Sequence, residues 1–251
     1  MRASVPTEDL RIISDLDSIP AGMATPYSVH ALDEVTSTQD LAAAMAGSEP
    51  ALVVAARQMT GRGRAGSQWL NAERAMAASL ALTPDWPKSE WSLIALVAGL
   101  AAAEVVGASC RLKWPNDLLI GSSKVGGILT ETSGDIVVAG CGLNLYWPAP
   151  PPGITAIYRD DPGHECHLEL ARHWADSFLQ RLSRGPRGWG IDEYRRRSAT
   201  IGRSISWDPQ GEGKALDVAD DGALVVATAM GEVRLTAGEV RHLQVDESRG
   251  S

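Results

Sequence analysis

The loop Gly61-Arg-Gly-Arg-Ala-Gly66 limits the fold more than any other segment. It follows an apolar run, Ala-Leu-Val-Val-Ala-Ala at 51–56, that reads as a buried strand. By pattern alone it satisfies GxGxxG, and Asp85 stands near the spacing of a ribose-binding acid. A dinucleotide site needs a helix to open at the third glycine, with the pyrophosphate at its N-terminus. Here Ser67-Gln-Trp-Leu-Asn71 follows, and no convincing crossover helix precedes the next strand at 77–83. Arginines in the x positions would also crowd the backbone approach that the glycines permit. A doubly wound dinucleotide fold is disfavoured. Instead, Arg62 and Arg64 read as planar, bidentate donors on a deformable loop that encloses an anion. A solvated turn, or an arginine-glycine contact to nucleic acid, is the other reading, although such contacts normally repeat and this one occurs once.

Around the loop, apolar periodicity alternates between strands and helices. Residues 27–35 suit a strand, and Ser37 or Thr38 can cap a helix that stops at Gly47. The Ala-rich stretch 91–107 is a helix able to pack closely on a sheet. Runs at 111–120 and 125–132, split by Gly121-Ser-Ser, signal a hairpin, and 135–145 a further strand. Helical spacing returns at 167–182 and 189–198. Beyond Gly202 the pattern changes to short strands at 203–207, 213–218, 223–229 and 231–235 with tight turns, which predicts a small β-barrel. The expected organisation is an α/β catalytic domain over 1–199, opening with an irregular, proline-broken arm at 1–29. A barrel over 200–246 and a disordered tail at 247–251 complete it.

Composition narrows the function. The net charge of −8 argues against a general nucleic-acid binder. No apolar run reaches the roughly 18 residues of a membrane span, and Pro6, Glu8 and Asp9 interrupt any signal-peptide core. A cytoplasmic protein is expected. Cys110, Cys141 and Cys166 share no ligand spacing and read as buried small hydrophobes. Only four lysines occur, and two of them, Lys113 and Lys124, fall in motifs.

In Lys113-Trp-Pro-Asn-Asp117, the residue before proline is pushed to extended geometry. An ammonium, an amide and a carboxylate thereby come to the end of a strand, where they can meet a nucleotide and its metal; a plain Asn-Asp turn is the alternative. Lys124 precedes Val125-Gly126-Gly127, whose bare backbone would let a ligand lie beside the ammonium; a solvated lysine near a turn is the alternative. Ser37, Thr38 and Gln39 serve either as helix caps or as partners of a polar ring. Gly140-Cys-Gly142-Leu-Asn144 places small residues where a ligand or another backbone approaches closely.

These pieces, in this order, resemble the biotin protein ligases. The resemblance rests on Ser37-Thr38, Gln58, Gly61-Arg-Gly-Arg64, Trp69, Lys113-Trp-Pro-Asn-Asp-Leu118, Lys124-Val-Gly-Gly-Ile-Leu-x-Glu131 and Gly140-x-Gly-x-Asn144, about residues 33–147. Ala237-Gly-Glu-Val240 resembles the end of the family's barrel. The resemblance implies a mixed-sheet α/β (α+β) ligase domain followed by a Src-homology-3-like barrel. It implies biotin and ATP as substrates, Mg²⁺ as cofactor, and a biotin carboxyl carrier domain of an acyl-CoA carboxylase as partner. The protein would act as a monomer or weak homodimer, bind neither DNA nor membrane, and lack the DNA-binding domain of the family's repressors.

By the same resemblance Ser37, Thr38, Gln39 and Gln58 hold the biotin ureido ring. Arg62, Gly63 and Arg64 form the biotin loop, and Gly126 and Gly127 lie beside the ligand. Trp69, Lys113, Asn116, Gly142 and Asn144, with Arg64, face ATP. Lys124 and Arg62 are the catalytic cations, and Asp117 helps place the metal. Ala65 and Ser67 depart from the family's loop, where further basic residues often stand. The rival enzyme is a lipoate or octanoyl transferase of shared architecture. A non-catalytic binding module is the rival from another class.

Overall fold

The computed structural model describes residues 26–209 and 211–243. Most of the arm expected at 1–29, and the tail at 247–251, lie outside the described residues.

Seven strands form the first sheet: β1 (Ser28–Val35), β2 (Ala51–Gln58), β3 (Arg74–Leu82), β4 (Cys110–Lys113), β5 (Asp117–Ile120), β6 (Ser123–Ser133) and β7 (Ile136–Tyr146). Their spatial order is β1-β2-β3-β7-β6-β5-β4. Only β1 and β2 run parallel, and helix α1 (Thr38–Met45) makes the crossover between them. Every other pair is antiparallel, so the sheet is mixed.

The unbroken apolar run of β2 is buried on both faces. Leu52 and Val54 join the large core with α2 (Ser92–Val106) and α3 (Cys166–Leu182). Val53 and Ala55 pack with Leu32, Ala42, Ala81 and Val138 beneath α1. Side chains alternate across a strand, so a strand covered on both faces must be apolar throughout. Helix α2 is buried nearly all round because it lies between the sheet and α3, and its alanines permit the close approach. Trp174 donates its indole N–H to the Ala98 carbonyl at 3.1 Å.

Residues 111–120 are not the single strand expected from their apolar pattern. The chain turns back at Trp114-Pro115-Asn116, so β4 and β5 pair with Lys113 opposite Asp117. The expected two-strand hairpin is a three-strand meander. The helix expected at 189–198 begins only at Ile191 (α4, Ile191–Arg197), because Gly190 holds a left-handed φ of 100°. Cys110 and Cys141 are buried, but Cys166 is only half-buried. Burial pushes the Cys110 thiol up to about 11, which suits a packing residue rather than a nucleophile.

The second sheet has five antiparallel strands: β8 (Ser204–Trp207), β9 (Gly211–Val218), β10 (Leu224–Thr228), β11 (Gly231–Leu235) and β12 (Val240–His242). They are ordered β11-β10-β9-β8-β12. Strand β12, absent from the sequence reading, pairs with β8. Trp114 joins the two sheets. Its indole N–H donates to the Gly222 carbonyl at 3.0 Å, and its backbone N–H donates to Thr200 Oγ1 at 3.0 Å.

Candidate active site

A cavity of about 210 Å³ opens beside the start of α1, along β3, β6 and β7, and under the Gly61–Gly66 loop. Its inner end is polar and buried. Thr38 donates both its backbone N–H (2.8 Å) and its hydroxyl (3.0 Å) to Gln58 Oε1. An amide oxygen cannot donate, so the Thr38 proton is committed there. Ser79, 2.8 Å away, must therefore donate to Thr38 Oγ1. Among the described residues no acceptor faces Gln58 Nε2, so its two N–H groups remain to be given.

The Gln39 amide is fixed in the opposite sense. Its Nε2 donates to Glu131 Oε2 at 3.0 Å and to the Val138 carbonyl at 3.4 Å. Its buried Oε1 has no partner and lies over Gly140, where a Cβ would come within 2.6 Å. Ser37 accepts from the Asp40 N–H at 3.4 Å as the α1 cap. Cap and ligand roles are thus compatible, because the Ser37 proton stays available. The inner end offers donors from Gln58 and Ser37 and an acceptor from Gln39. That pattern complements a ring bearing one carbonyl and N–H groups.

The middle of the cavity is walled by small residues, Ala77, Ala78, Gly127, Gly140 and Gly142. The Trp69 ring lies on the bare Cα of Gly142, where a Cβ would stand 2.9 Å from it. This leaves a slot suited to an aliphatic chain.

At the mouth, Lys124 Nζ lies 2.5 Å from Asp117 Oδ1, and Lys113 Nζ lies 3.3 Å from Oδ2. Arg64 donates to Asn116 Oδ1 (3.3 Å) and to the Gly238 carbonyl (3.2 Å) of the second sheet. Asn116 is itself anchored by exchanging bonds with the Ile128 backbone, at 3.0 and 2.9 Å. Lys124 and Arg64 line this mouth with the carboxylates of Asp117 and Glu239, and Lys113 stands behind Asp117. With Asp117 held by two ammonium groups, Lys124 and Arg64 are the groups that can meet an anion.

The expected site residues are not all placed alike. Arg62 lines the cavity with Arg64 and Lys124, but its guanidinium is turned to carboxylates. It is bidentate to Asp40, at 2.8 Å for both bonds, and donates to Glu131 at 3.1 Å. The bond to Arg62 holds the Asp40 carboxyl below the usual range. Two carboxylates neutralise this guanidinium, whereas Arg64 has only neutral acceptors. Gly126 faces away from the cavity, since strand alternation presses its Cα against the Gly142 carbonyl and Leu143. Gly127, one residue on, lines the cavity. Lys113 and Asn144 are not in the wall. Lys113 is bonded to Asp117 behind the mouth, and Asn144 donates to the Thr155 carbonyl at 3.0 Å.

Asp117 does not fit a resident metal site. Both its oxygens are engaged by ammonium groups, and no cluster of three or more acidic, histidine or cysteine residues occurs among the described residues. Ser67 has a role of its own: its hydroxyl donates to the Arg64 carbonyl at 2.8 Å and closes the loop, with Gly63 N–H bonded to Ser67 O at 2.7 Å.

Sequence reasoning missed Ser79, Asp40, Gly238 and the contacts of Glu131. Ser79 was signalled only by being polar in the doubly buried strand β3, and Asp40 only by its place in the first helical turn.

Fold and cavity together define a cofactor-attaching α/β ligase class. Residues 33–144 match the Biotin/lipoate A/B protein ligase family, and residues 208–243 match the biotin protein ligase C-terminal domain. The chain belongs to the biotin protein ligase family. It is 32% identical over 218 residues to the biotin--[acetyl-CoA-carboxylase] ligase of Mycobacterium tuberculosis, covering 77% of this chain and 79% of that one. The Paracoccus denitrificans protein of the same name is 30% identical over 226 residues, covering 80% and 92%. In structure, the chain is similar to the Aquifex aeolicus biotin protein ligase solved with biotin and ATP. The TM-score is 0.72 at 23% identity, covering 86% of this chain and 99% of that one, which shows the shared fold. Among the described residues no helix is long and apolar enough to cross a membrane.

Proposed function

We propose that the chain activates biotin with ATP to biotinyl-5′-adenylate and transfers the biotinyl group to a lysine of a biotin carboxyl carrier domain of an acyl-CoA carboxylase. The observation that carries this reading is the pairing, in one cavity, of a buried urea-complementary end with a mouth that presents Lys124 and Arg64. The spacing between them is filled by small residues suited to the valeryl chain. A lipoyl ring has no carbonyl or N–H to satisfy Gln39 Oε1 and Gln58 Nε2, and leaving such groups unpaired is costly. Biotin is therefore favoured over lipoate.

Two anions must meet, the biotin carboxylate and the triphosphate. Lys124 and Arg64 offset their repulsion as the carboxylate oxygen attacks the α-phosphorus and pyrophosphate leaves. Mg²⁺ would arrive on the incoming nucleotide and would supply further neutralisation of the phosphate charge. The loop carrying Arg64 then shields the adenylate from water. The carrier amine attacks the acyl carbon, the acyl–phosphate bond breaks, AMP departs and the amine gives up a proton. Transfer of labelled biotin to a carrier domain, with and without ATP, tests this. Transfer only with ATP is expected; no ATP consumption with biotin and carrier present would favour a binding module instead. Calorimetry with biotin against lipoate checks the ring specificity.

A further inference from the structure

We infer that Glu131 is a positioning residue, through which closure of the arginine-glycine loop and recognition of the biotin ring are set together. The inference rests on the biotin reading above.

One oxygen carries both tasks. Glu131 Oε2 accepts from Gln39 Nε2 at 3.0 Å and from Arg62 NH2 at 3.1 Å. Gln39 belongs to the buried end of the cavity, and Arg62 belongs to the loop above it. Among the described residues no other side chain bonds to both. Glu131 stands on β6 opposite Val138 of β7, whose carbonyl takes the Gln39 amide at 3.4 Å. The amide therefore lies between two acceptors, which is what turns Oε1 to the partnerless position over Gly140. Without Glu131 a single long bond would hold it, and rotation about the terminal torsion would exchange acceptor for donor toward the ring. On the loop side, Arg62 would keep Asp40, a residue of the α1 surface, but lose its tie to the ring-binding amide. The Arg62, Asp40 and Glu131 side chains are 42%, 62% and 46% exposed. A latch so solvated is weak, as a loop that must open for each turnover requires.

Biotin binding by calorimetry, and biotin-dependent pyrophosphate–ATP exchange, are measured on the wild type, E131A, E131Q, Q39A and E131A/Q39A. E131A is expected to bind biotin about tenfold more weakly, as for one lost charge-assisted hydrogen bond, with the KM for ATP and the melting temperature little changed. The double variant should bind no more weakly than Q39A. E131Q still offers an oxygen to Gln39 but no charge to Arg62. It should recover most of the affinity while releasing biotin faster than the wild type. Unchanged biotin affinity in E131A, additive losses in the double variant, or an equal loss for ATP would overturn the inference. If the wild type bound no biotin, the parent reading would fall. If wild type and E131A bound biotin alike, only the role of Glu131 would.

Discussion

Replacing Lys124 with alanine removes the cation most directly placed at the cavity mouth. Its side chain is 41% exposed and its ammonium lies 2.5 Å from Asp117, whose side chain is only 17% exposed and is held on its other oxygen by Lys113 at 3.3 Å. In the free protein the pair is half-solvated, so its loss should cost folding no more than about 1 kcal/mol. The transition state is different. A unit charge about 4 Å from a phosphate oxygen, at an effective dielectric constant near 20, contributes about 4 kcal/mol. Asp117 would take back a similar amount, but Lys113 remains to offset it. The net loss should thus resemble the removal of one preorganised donor, about 3–4 kcal/mol, or roughly a 10²- to 10³-fold slower adenylation. Biotin-dependent pyrophosphate–ATP exchange isolates that half-reaction. A folded Lys124→Ala protein with exchange within a few-fold of wild type would refute the placement of the anion at this mouth. Lys113→Ala should cost less, because Lys113 reaches the cavity only through Asp117.

Arg64→Ala removes the bonds to Asn116 and Gly238, so free biotinyl-adenylate should escape faster into solution; unchanged release sinks the lid role. Gly140→Ala would set a Cβ 2.6 Å from Gln39 Oε1 and 3.3 Å from the Leu129 carbonyl. Overpacking of this kind costs about 1–3 kcal/mol, and weaker biotin binding by calorimetry is expected with ATP binding unaffected. His242, bonded to Thr200 Oγ1 at 3.1 Å, has its pKa lowered from 6.5, first by burial and then by Lys113 and Arg203. The unfolded chain therefore binds its proton more tightly. Stability from this group is complete above pH 6.5 and is lost as pH falls through the lower folded value. Denaturant melts across that range should show His242→Gln flattening the acid-side decline; identical pH profiles would count against it.

The sequence by itself determined what depends on local pattern and continuous burial. The doubly apolar β2 run required cover on both faces, and α1 and α3 supply it. The alanine-rich helix required close neighbours. A glycine-arginine loop with no helix behind it ruled against a dinucleotide fold, and the structure has only a 3₁₀ turn there, Arg64–Gly66. Ser37, Thr38 and Gln39 were legible as polar groups at a helix start, whereas Gln58 entered only through the resemblance. Tertiary structure alone decided how the charges and glycines are used. Arg62 and Arg64 are two residues apart, yet one meets Asp40 and Glu131 and the other meets Gly238, 174 residues away along the chain. Long cationic side chains take whichever partners other elements bring within reach, and no local spacing encodes that choice. Between Gly126 and Gly127 the decision lay in the pairing of β6 with β5 and β7, where a register shift at Leu118/Leu119 helps set the alternation. Since a strand's side-chain period is two, one residue of register separates a packing glycine from a ligand-facing one.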